Sequence, residues 1–456
     1  MNVTEPGALH QGWVPQPDGR GTLDILTTCI STMFLCSWSI LCMNLPSPSD
    51  SAWASFRRKI YLTGLGVGGP EFVFQIALGQ WASARTCVKA FKETGHNEWT
   101  LRHAFFADAG GFVLRTRDWV CFPLDGKQLL YLINKGWVAY PDVDVKVISD
   151  KNKTDGVIRL LMVAQTLWFA INCICRAAQG LAITTFELTV LGSIVCSYGT
   201  WFCWFHKPAD AETPIHLDCD FTMSDILKTA GQANTMWYRT PLDFISREEW
   251  SWSLHWQYWV NILRKMGFNF GPKVRPIDRM PNDDFREIKG AIMTPVLIGF
   301  QTAYGALNFA AWNADFATPT EQILWRAASV SVLSAIWWYW LSEVYAWRLY
   351  PAIQCLINKR RRSGIVKELP VIHDRPSTPK KSYLQRIAAR LRNNSSDDDP
   401  ALTVPLRALL PVLLVSAPFY CIPRVYMLVA DVVGLRSLPA SAFETVNWSA
   451  YIPHLH

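Results

Sequence analysis

The sequence predicts an all-α integral membrane protein, a polytopic transmembrane helical bundle with about six or seven membrane-embedded segments. Half of the 456 residues are hydrophobic and only 18% are charged, whereas about a quarter of the residues of a soluble chain are charged. Six apolar stretches approach the ~20 residues that a helix needs to cross a bilayer. In addition, 37 of the 44 Lys and Arg residues lie in three long loops, and such residues mark the cytoplasmic side of membrane proteins.

The six predicted spans share a run of apolar residues with few or no charges. They are Leu23–Leu45, Val157–Arg176, Ile183–Phe205, Ala291–Ala311, Ile323–Ala346 and Leu406–Val433. The first span follows a polar head that contains acids and is long enough to cross the bilayer, so we expect a signal anchor and not a cleaved signal peptide. The 22 tryptophans fit this class, because indole rings favour membrane interfaces and apolar pockets.

A seventh apolar segment, Leu65–Ala84, is broken by Gly68-Gly69-Pro70-Glu71. Six full spans place the three basic loops in the cytoplasm and both termini in the lumen. A seventh crossing would reverse this order and make the basic run Lys359–Arg362 lumenal. We therefore predict a re-entrant or broken helix; the alternative is that Ala104–Leu114 crosses back. Either version places Glu71 at an internal cavity, because irregular backbone at membrane depth is tolerated only where protein or water covers it.

These segments divide the chain into regions. They are a lumenal head (1–22), an N-terminal membrane region (23–205), a cytoplasmic loop (206–290), two spans (291–346), a flexible basic cytoplasmic loop (347–405), and the last span with a lumenal tail (406–456). The loop at 347–405 is predicted to be flexible because it is rich in charged residues, Pro and Ser. The glycosylation sequons Asn2-Val-Thr4 and Asn447-Trp-Ser449 fall on the predicted lumenal side, so we expect a glycoprotein.

Four ionisable residues within or beside the spans are candidates for chemistry: Glu71, Asp108, Glu187 and Glu343. An ionisable group inside a membrane is energetically expensive and by default marks a functional site. Burial also favours the protonated form of a carboxyl, which can then act as an acid. The competing interpretation is a structural ion pair with a nearby arginine.

Patterns that could hold a metal or a cofactor are weak. Asp283-Asp284-Phe-Arg-Glu287 matches the loose DDxx(D/E) pattern in which carboxylates hold magnesium against a diphosphate, but it is short enough to arise by chance. The 12 cysteines form no CxxC pair, and no P-loop, GxSxG motif or GxGxxG in a strand–helix setting occurs. The sequence therefore predicts no metal site and no cofactor. It also predicts no nucleic-acid partner, because the basic residues are placed by membrane topology.

Several motifs resemble those of a large fungal family of integral membrane proteins. They are Gly69-Pro-Glu-Phe72, Gly79-Gln-Trp-Ala-Ser-Ala84, Trp99-Thr-Leu-Arg-His-Ala-Phe-Phe-Ala-Asp108, Ile148-Ser-Asp-Lys-Asn-Lys-Thr-Asp155, Thr184-Thr-Phe-Glu-Leu188 and Trp204-Phe-His-Lys-Pro208. The resemblance runs from about Gly12 to Pro208 and more loosely through the remaining spans. Some members resemble membrane-bound terpene cyclases of fungal meroterpenoid pathways, in which an acid protonates a prenylated substrate and the resulting cation closes rings.

The resemblance implies a terpene cyclase of secondary metabolism that acts on a lipophilic prenylated small molecule without a cofactor. The residues are compatible with this chemistry, because a buried protonated carboxyl can start the reaction and tryptophan faces stabilise a cation. The candidate acids are Glu71, Asp108 and Glu187. The candidate substrate contacts are Trp81, Arg102, His103, Phe105 and Trp168.

Two other classes remain open. A transporter would use the intramembrane acids as proton relays, and a non-catalytic membrane scaffold would tolerate every acid-to-amide change. In each case we expect the protein to lie in a lipid bilayer, that of the endoplasmic reticulum. For the enzyme, other enzymes of the same pathway are expected partners.

Overall fold

The structure is a computed structural model in which parts of the chain can be described. These parts are residues 9–11, 13–15, 19–150, 156–235, 237–246, 274–286, 292–345 and 406–451, with isolated positions in 256–267, at 288 and in 349–356. Most of the predicted flexible loop 347–405 lies outside them, as do the sequon at Asn2, the basic run Lys359–Arg362, Glu287 and the side chain of Glu343.

Helices dominate the described residues. In chain order they are α1 (Thr22–Ser39), α2 (Ala52–Gly68), α3 (Pro70–Glu93), α4 (Leu101–Asp108), α5 (Gly126–Asn134), α6 (Val145–Asp150), α7 (Gly156–Ala178), α8 (Thr185–Cys203), α9 (Met223–Thr229), α10 (Asp243–Ser246), α11 (Met293–Leu307), α12 (Pro319–Val344) and α13 (Leu406–Val433). Short 3-10 turns follow α11 at Asn308–Ala311 and α13 at Gly434–Arg436, and two more lie at Ala440–Ala442 and Trp448–Tyr451.

Two small sheets depart from the all-α expectation. Strands β1 (Leu9–Gln11) and β5 (Ser437–Pro439) pair antiparallel. Strand β2 (Phe112–Arg115) pairs antiparallel with β3 (Phe122–Leu124) and parallel with β4 (Ile215–Asp218). Glycine ends the helix before β2: Gly110 adopts φ +85°, and the Gly111 N–H donates to the Phe106 carbonyl oxygen at 2.8 Å. This left-handed closure of α4 lets the chain continue as a strand.

The two sheets define the two sides of the molecule. We call the side of β1 and β5 the head side, and the side of β2, β3 and β4 the sheet side. Within the described residues, α1, α7, α8, α11, α12 and α13 run between these sides. The pairing of β1 with β5 brings residues near the two ends of the chain together on the head side.

Three of these helices are long and apolar enough to cross a membrane. They cover Leu160–Ala178, Thr185–Cys203 and Val415–Arg436. The second lies within the predicted span 183–205, and the other two overlap the predicted spans 157–176 and 406–433 but end two and three residues beyond them. Large apolar side chains remain exposed on them, among them Leu160, Ile174, Phe202 and Ile422. Such exposure suits lipid, because a water-soluble protein rarely exposes apolar patches of this extent. The chain is therefore a helix-rich membrane protein with three candidate spans in its described part.

Helices α2 and α3 form a hairpin that enters the bundle from the sheet side and returns to it. In the middle of α2, Lys59 pairs with Asp210 at 2.9 Å. At the tip, the backbone carbonyl of Gly68 accepts a hydrogen bond from Arg424 of α13 at 3.0 Å. The α3 end returns to the sheet side, where Phe91 stacks on Trp99. The helical hairpin thus has its tip inside the bundle, and the re-entrant path predicted for Leu65–Ala84 stays a prediction.

The hairpin turns at Gly69-Pro70 for local reasons. Proline lacks an N–H and restricts the residue before it, so α2 ends there, and its fixed φ suits the first position of α3. The Gly69 N–H closes α2 by donating to the Leu65 carbonyl oxygen at 2.8 Å. A Cβ on Gly69 would lie 2.5 Å from the Phe72 ring, so a larger residue would force that ring to move.

Two predicted loops are folded and not extended. Residues of 46–156 and 206–290 pack together on the sheet side through β2, β4, α5 and α10. The alternative in which Ala104–Leu114 crosses the membrane does not hold, because this segment comprises the short α4, a turn and β2 inside that assembly. Its apolar residues are buried by the neighbouring elements: Phe105, Phe106, Phe112 and Leu114 are each at most 1% exposed.

Candidate functional site

Glu71 lies in the first turn of α3, at the tip of the α2–α3 hairpin. It is 1% exposed. The Tyr420 hydroxyl donates a hydrogen bond to Glu71 Oε1. The other oxygen, Oε2, is buried and has no hydrogen-bond partner among the described residues. Glu71 therefore faces the interior of the bundle, with one oxygen held and one available.

Helix α13 presents a polar stripe to Glu71. Tyr420, Arg424 and Asp431 follow spacings of four and seven, which place them on one face of a helix, and all three are buried. Arg424 lies over the ring of Tyr304 of α11, with the guanidinium carbon 5.5 Å from the ring centroid. Its Nε donates to the Gly68 carbonyl oxygen, which fixes the hairpin tip against α13.

Several polar atoms of this cluster lack partners. They share near-complete burial and the absence of a hydrogen bond to any described residue: Glu71 Oε2, Thr189 Oγ1, the Tyr304 hydroxyl, Arg424 Nη2 and both carboxylate oxygens of Asp431. A buried polar group without a partner costs about 1–3 kcal/mol. Most such groups in folded proteins are satisfied, so a concentration of exceptions in one place indicates a site that binds a polar group.

A chain of hydrogen bonds continues from the cluster toward the sheet side. Gln75 lies one turn after Glu71 on α3, and its Oε1 accepts from Gln301 Nε2 at 3.0 Å. Gln301 Oε1 in turn accepts from Trp340 Nε1 at 2.9 Å. These amides hold α3, α11 and α12 together beside Glu71. The amide nitrogen of Gln75, which is buried and has no partner among the described residues, is a further donor near the site.

Charge balance determines what the cluster can do. Glu71 and Asp431 are two acids beside one base, Arg424. With both acids ionised, the cluster would hold one negative charge that no described cation offsets. An uncompensated charge in a buried apolar setting is so costly that the group takes up a proton instead. The arrangement therefore favours one protonated carboxyl, which is a proton donor inside the bundle.

Asp108, the second candidate acid, is fully engaged. Its Oδ1 accepts from the Gly126 N–H at 3.1 Å. Its Oδ2 accepts from the Ser83 hydroxyl at 3.0 Å and from the Arg286 guanidinium. Both carboxylate oxygens are thus occupied, and one of the three donors is charged. Asp108 therefore joins α3, α5 and residue 286, and neither of its oxygens is left to face a substrate.

The DDxx(D/E) pattern is engaged in the same region. Asp284 accepts two hydrogen bonds from Arg239, at 2.7 and 3.1 Å. Asp283 Oδ2 accepts from Trp256 Nε1 at 2.8 Å. The paired geometry of Arg239 with Asp284 is the strong bidentate form. No group of three or more His, Cys, Asp or Glu residues suited to a metal ion occurs in the part of the chain that is described.

Glu187, the third candidate acid, caps α8. Its Oε2 accepts from the Thr184 N–H at 2.9 Å and from the Thr184 hydroxyl at 3.0 Å, while the Thr184 hydroxyl accepts from the Glu187 N–H. This reciprocal arrangement is a capping box. Its Oε1 accepts from Arg20 of the head. Both oxygens are thus occupied in a structural role at the head side.

Three predicted substrate contacts lie in packing arrangements near the sheet side. The His103 ring contacts Thr100 through Nδ1 and the Val143 carbonyl oxygen through Nε2 at 2.7 Å. Arg102 donates to the Ser149 hydroxyl. Phe105 is 1% exposed within the main hydrophobic core. These side chains hold α4 against the segment around α6, and none reaches the Glu71 cluster.

The two predicted tryptophan contacts lie on the outer surface of the helices. Trp81 is partly buried, packs on Phe202 and carries the Arg85 guanidinium over its ring at 4.8 Å. Trp168 is 53% exposed and stacks on Trp448 with ring centroids 5.1 Å apart. Such positions suit contact with lipid at the membrane interface. The aromatic rings that do lie near Glu71 are those of Tyr304, Tyr420 and Phe72.

The Trp204-Phe-His-Lys-Pro208 motif builds a second buried polar group. Lys207 is 3% exposed and its Nζ donates to Gln80 Oε1 at 2.9 Å. The same oxygen accepts from Trp204 Nε1 at 3.0 Å, and the ammonium lies 4.8 Å from the Trp204 ring centroid. Burial lowers the pKa of Lys207 to about 8. This contact joins the end of α8 to α3.

Sequence reasoning found Glu71 but missed Tyr304, Tyr420, Arg424 and Asp431. The predicted span Leu406–Val433 contains Arg424 and Asp431 seven residues apart. The rule that marks ionisable residues inside spans as functional would have found both. The two tyrosines carried no comparable signal, because tyrosine is also common at membrane interfaces.

Residues 3–230, half of the chain, match a family of unknown function, DUF8562, and the chain belongs to that family. The matched region contains the α2–α3 hairpin with Glu71 and the α8 helix, whereas the partners of Glu71 on α11 and α13 lie beyond it. Comparisons with curated proteins and with solved structures gave no match.

Proposed function

We propose that this member of DUF8562 is a membrane-bound enzyme that protonates a lipophilic prenylated substrate and lets the resulting cation cyclise, as a terpene cyclase does. Glu71 is the proposed proton donor. The observation that carries the proposal is the buried Glu71 Oε2, which has no partner among the residues described, beside a second acid and a single arginine. The engaged states of Asp108 and Glu187 leave Glu71 as the best suited of the three acids.

The surroundings of Glu71 support this chemistry. The Tyr420 hydroxyl holds one oxygen and so orients the carboxyl, leaving the other to face a substrate. The rings of Tyr304, Tyr420 and Phe72 offer π faces, and each such contact stabilises a cation by about 0.5–2 kcal/mol. Arg424 would oppose a nearby carbocation, but the ionised carboxylate of the cluster offsets its charge. No cofactor is required, because a carboxylic acid alone can start the reaction.

The proposal includes a membrane arrangement. Beyond the three helices that satisfy the length and hydropathy requirement, α1, α11 and α12 also cross, and the α2–α3 hairpin is re-entrant, which gives six spans. The basic loops face the cytoplasm, the head side faces the lumen, and the membrane is that of the endoplasmic reticulum. A prenylated substrate partitions into the bilayer and enters from lipid; other enzymes of the same pathway are proposed partners.

The test is product formation by purified protein in lipid nanodiscs supplied with a farnesylated phenol and with its terminal epoxide. Cyclic product is expected from the wild type, and Glu71→Gln should reduce turnover by about 10²–10⁴-fold, the usual contribution of a general acid. Glu187→Gln serves as the control, because that acid is engaged with Arg20 and Thr184. Equal turnover in wild type and Glu71→Gln would reject Glu71, and no product from any prenylated phenol would reject the enzyme.

A proton-coupled transporter is the second candidate, and Arg424 with Asp431 favours it. A buried acid–base cluster between α3, α11 and α13 is also what a proton relay in a transporter requires. Such a protein would move a solute into sealed vesicles when a pH gradient is imposed, and Glu71→Gln would stop that flux. Absence of both flux and cyclisation in the wild type, together with acid-to-amide variants that fold normally, would instead favour a scaffold.

A further inference from the structure

Asp431 is the buried acid to which the proposed reaction gives no role. It lies on α13 two turns closer to the head side than Arg424, and α13 ends at Val433 just before β5. Asp431 is 1% exposed, and neither of its carboxylate oxygens meets full hydrogen-bond geometry with a described residue, although the hydroxyls of Thr185 and Thr189 lie close enough to interact with it. It therefore lies between the Glu71 cluster and the head side as a second buried acid.

The groups that face Asp431 come from several helices. They are Arg424 on α13 itself, the hydroxyls of Thr185 and Thr189 on α8, Tyr304 on α11 and Cys29 on α1. Helix α12 also packs along α13, but Glu321, in its first turn on the head side, is paired with Arg436. Arg424 is thus the cation that faces Asp431, and it is shared with Glu71.

Tyr304 lies between the two acids. Its side chain interacts electrostatically with Glu71 and with Asp431 as well as with Arg424. Its hydroxyl is buried and has no hydrogen-bond partner in the described part of the chain. A hydroxyl can accept a proton on its oxygen while it donates the one it carries. Asp431, Tyr304 and Glu71 therefore form a sequence of proton-carrying groups that leads from the head side to the hairpin tip.

We propose that Asp431 is the residue that reloads Glu71 with a proton from the head side. The inference rests on the proposed function. In each cycle the Glu71 O–H bond breaks as its proton bonds to the substrate, and the product cation later loses one proton from carbon to solvent, so that no net proton is consumed. Glu71 is left as a carboxylate. Asp431 then takes up a proton from solvent on the head side, gives it to the Tyr304 hydroxyl oxygen as that hydroxyl gives its own proton to Glu71, and returns to its ionised form.

The first test separates the first turnover from those that follow. Protein is equilibrated at mildly acidic pH, so that Glu71 starts protonated in every variant, including Asp431→Asn, in which Arg424 would otherwise balance an ionised Glu71. It is brought to neutral pH as it is mixed with a farnesylated phenol or its epoxide, in excess of enzyme. Asp431→Asn should form one equivalent of product at a rate within about twofold of wild type, and its steady-state rate should then fall at least tenfold. A small membrane-permeant weak acid should restore part of that rate. Glu71→Gln should lose the first turnover as well.

Matched variants make this result specific. Tyr304→Phe keeps the ring but removes the relay hydroxyl, and it should show the same loss of later turnovers as Asp431→Asn. Glu321→Gln removes an acid on the head side that is paired with Arg436, and it should change neither phase. An Asp431→Asn protein that loses its first turnover to the same degree as its later ones, or that loses neither, overturns the proposal.

A second test needs no substrate. Infrared difference spectra of the protein in oriented proteoliposomes report the C=O stretch of protonated carboxyls while the pH on one side is changed. A carboxyl band should respond to pH on the head side and be missing in Asp431→Asn. Retention of every such band in that variant overturns the proposal whatever the enzyme does. If the band is missing in Asp431→Asn but the wild-type protein forms no product, proton exchange at Asp431 stands and the proposed cyclase is rejected.

Discussion

Glu71, in the first turn of α3, and Asp108, at the end of α4, are both buried acids, but their surroundings differ. Asp108 receives three hydrogen bonds, one of them from Arg286, and holds three segments together on the sheet side. Glu71 receives one from Tyr420, and near it are other polar atoms that lack partners in the described residues. Satisfied buried networks stabilise and specify a fold, whereas unsatisfied ones are retained where function needs them. The difference assigns Asp108 a structural role and supports Glu71 as the proposed proton donor.

The largest effect should come from breaking the Asp108 pair. Asp108→Asn leaves Arg286 with only its longer ion pair to Asp284, at 3.8 Å. Removal of one member of a buried pair costs about 3–5 kcal/mol when no other partner remains, so we expect a loss of about 3 kcal/mol. Glu71→Gln should cost ~1 kcal/mol or less, because it removes one hydrogen bond and also a group that was incompletely satisfied. Thermal unfolding of both variants in the same nanodiscs measures this difference. A greater loss of stability in Glu71→Gln than in Asp108→Asn would reverse the comparison.

Lys207 extends the comparison from buried acids to a buried base. Its ammonium group is buried and donates to Gln80 Oε1. Burial lowers the pKa of Lys207 from 10.5 to about 8. Below pH 8 both the folded and unfolded states carry this proton, and the folded state bears the full penalty. Between pH 8 and 10.5 only the unfolded state still binds it, so stability rises with pH through that window. The total change should be about 3 kcal/mol, since one pKa unit corresponds to ~1.4 kcal/mol.

The measurement is the free energy of unfolding from pH 7 to 10.5 in wild type and Lys207→Met. The variant should gain stability relative to wild type at pH 7, and this advantage should shrink as the pH rises past 8. The exposed Lys228 of α9 provides the control variant, Lys228→Met, which should leave the pH profile unchanged. A wild-type profile that Lys207→Met does not alter would show that burial of this amine has no energetic consequence.

Much of the helical architecture could be predicted from apolar segments and from the Gly-Pro break, because both act within about 20 residues of sequence. The strand Phe112–Arg115 was missed because its apolar run follows directly on the apolar α4 segment, and short apolar runs do not distinguish strand from helix. The partner of Glu71 lies 349 residues away at Tyr420, and nothing in either local sequence connects them. Glu187 is different: Thr-x-x-Glu is a local capping pattern that could have been recognised as such.

The smallest expected effect on the free energy of unfolding concerns Glu187, and Glu321 is its closest matched control. Thr184 and Glu187 at the start of α8 have counterparts in Thr318 and Glu321 at the start of α12: each threonine caps its helix, and each glutamate pairs with an arginine, Arg20 or Arg436. The first pair is nearly buried, with side chains 13% and 4% exposed, and the second is 45% and 26% exposed. Burial and the bonds from Thr184 back to the Glu187 carboxylate therefore distinguish the first arrangement from the second.

Glu187→Gln should keep the capping geometry, because glutamine also forms capping boxes, but it removes the charge that faces Arg20 and the helix dipole. We expect a loss of about 1–2 kcal/mol, against less than ~1 kcal/mol for the exposed pair in Glu321→Gln. A double-mutant cycle with Arg20→Gln isolates the coupling between Arg20 and Glu187. If Glu187→Gln unfolds like the wild type but forms no product, Glu187 takes part in the reaction, as proposed for Glu71, and does more than stabilise the fold.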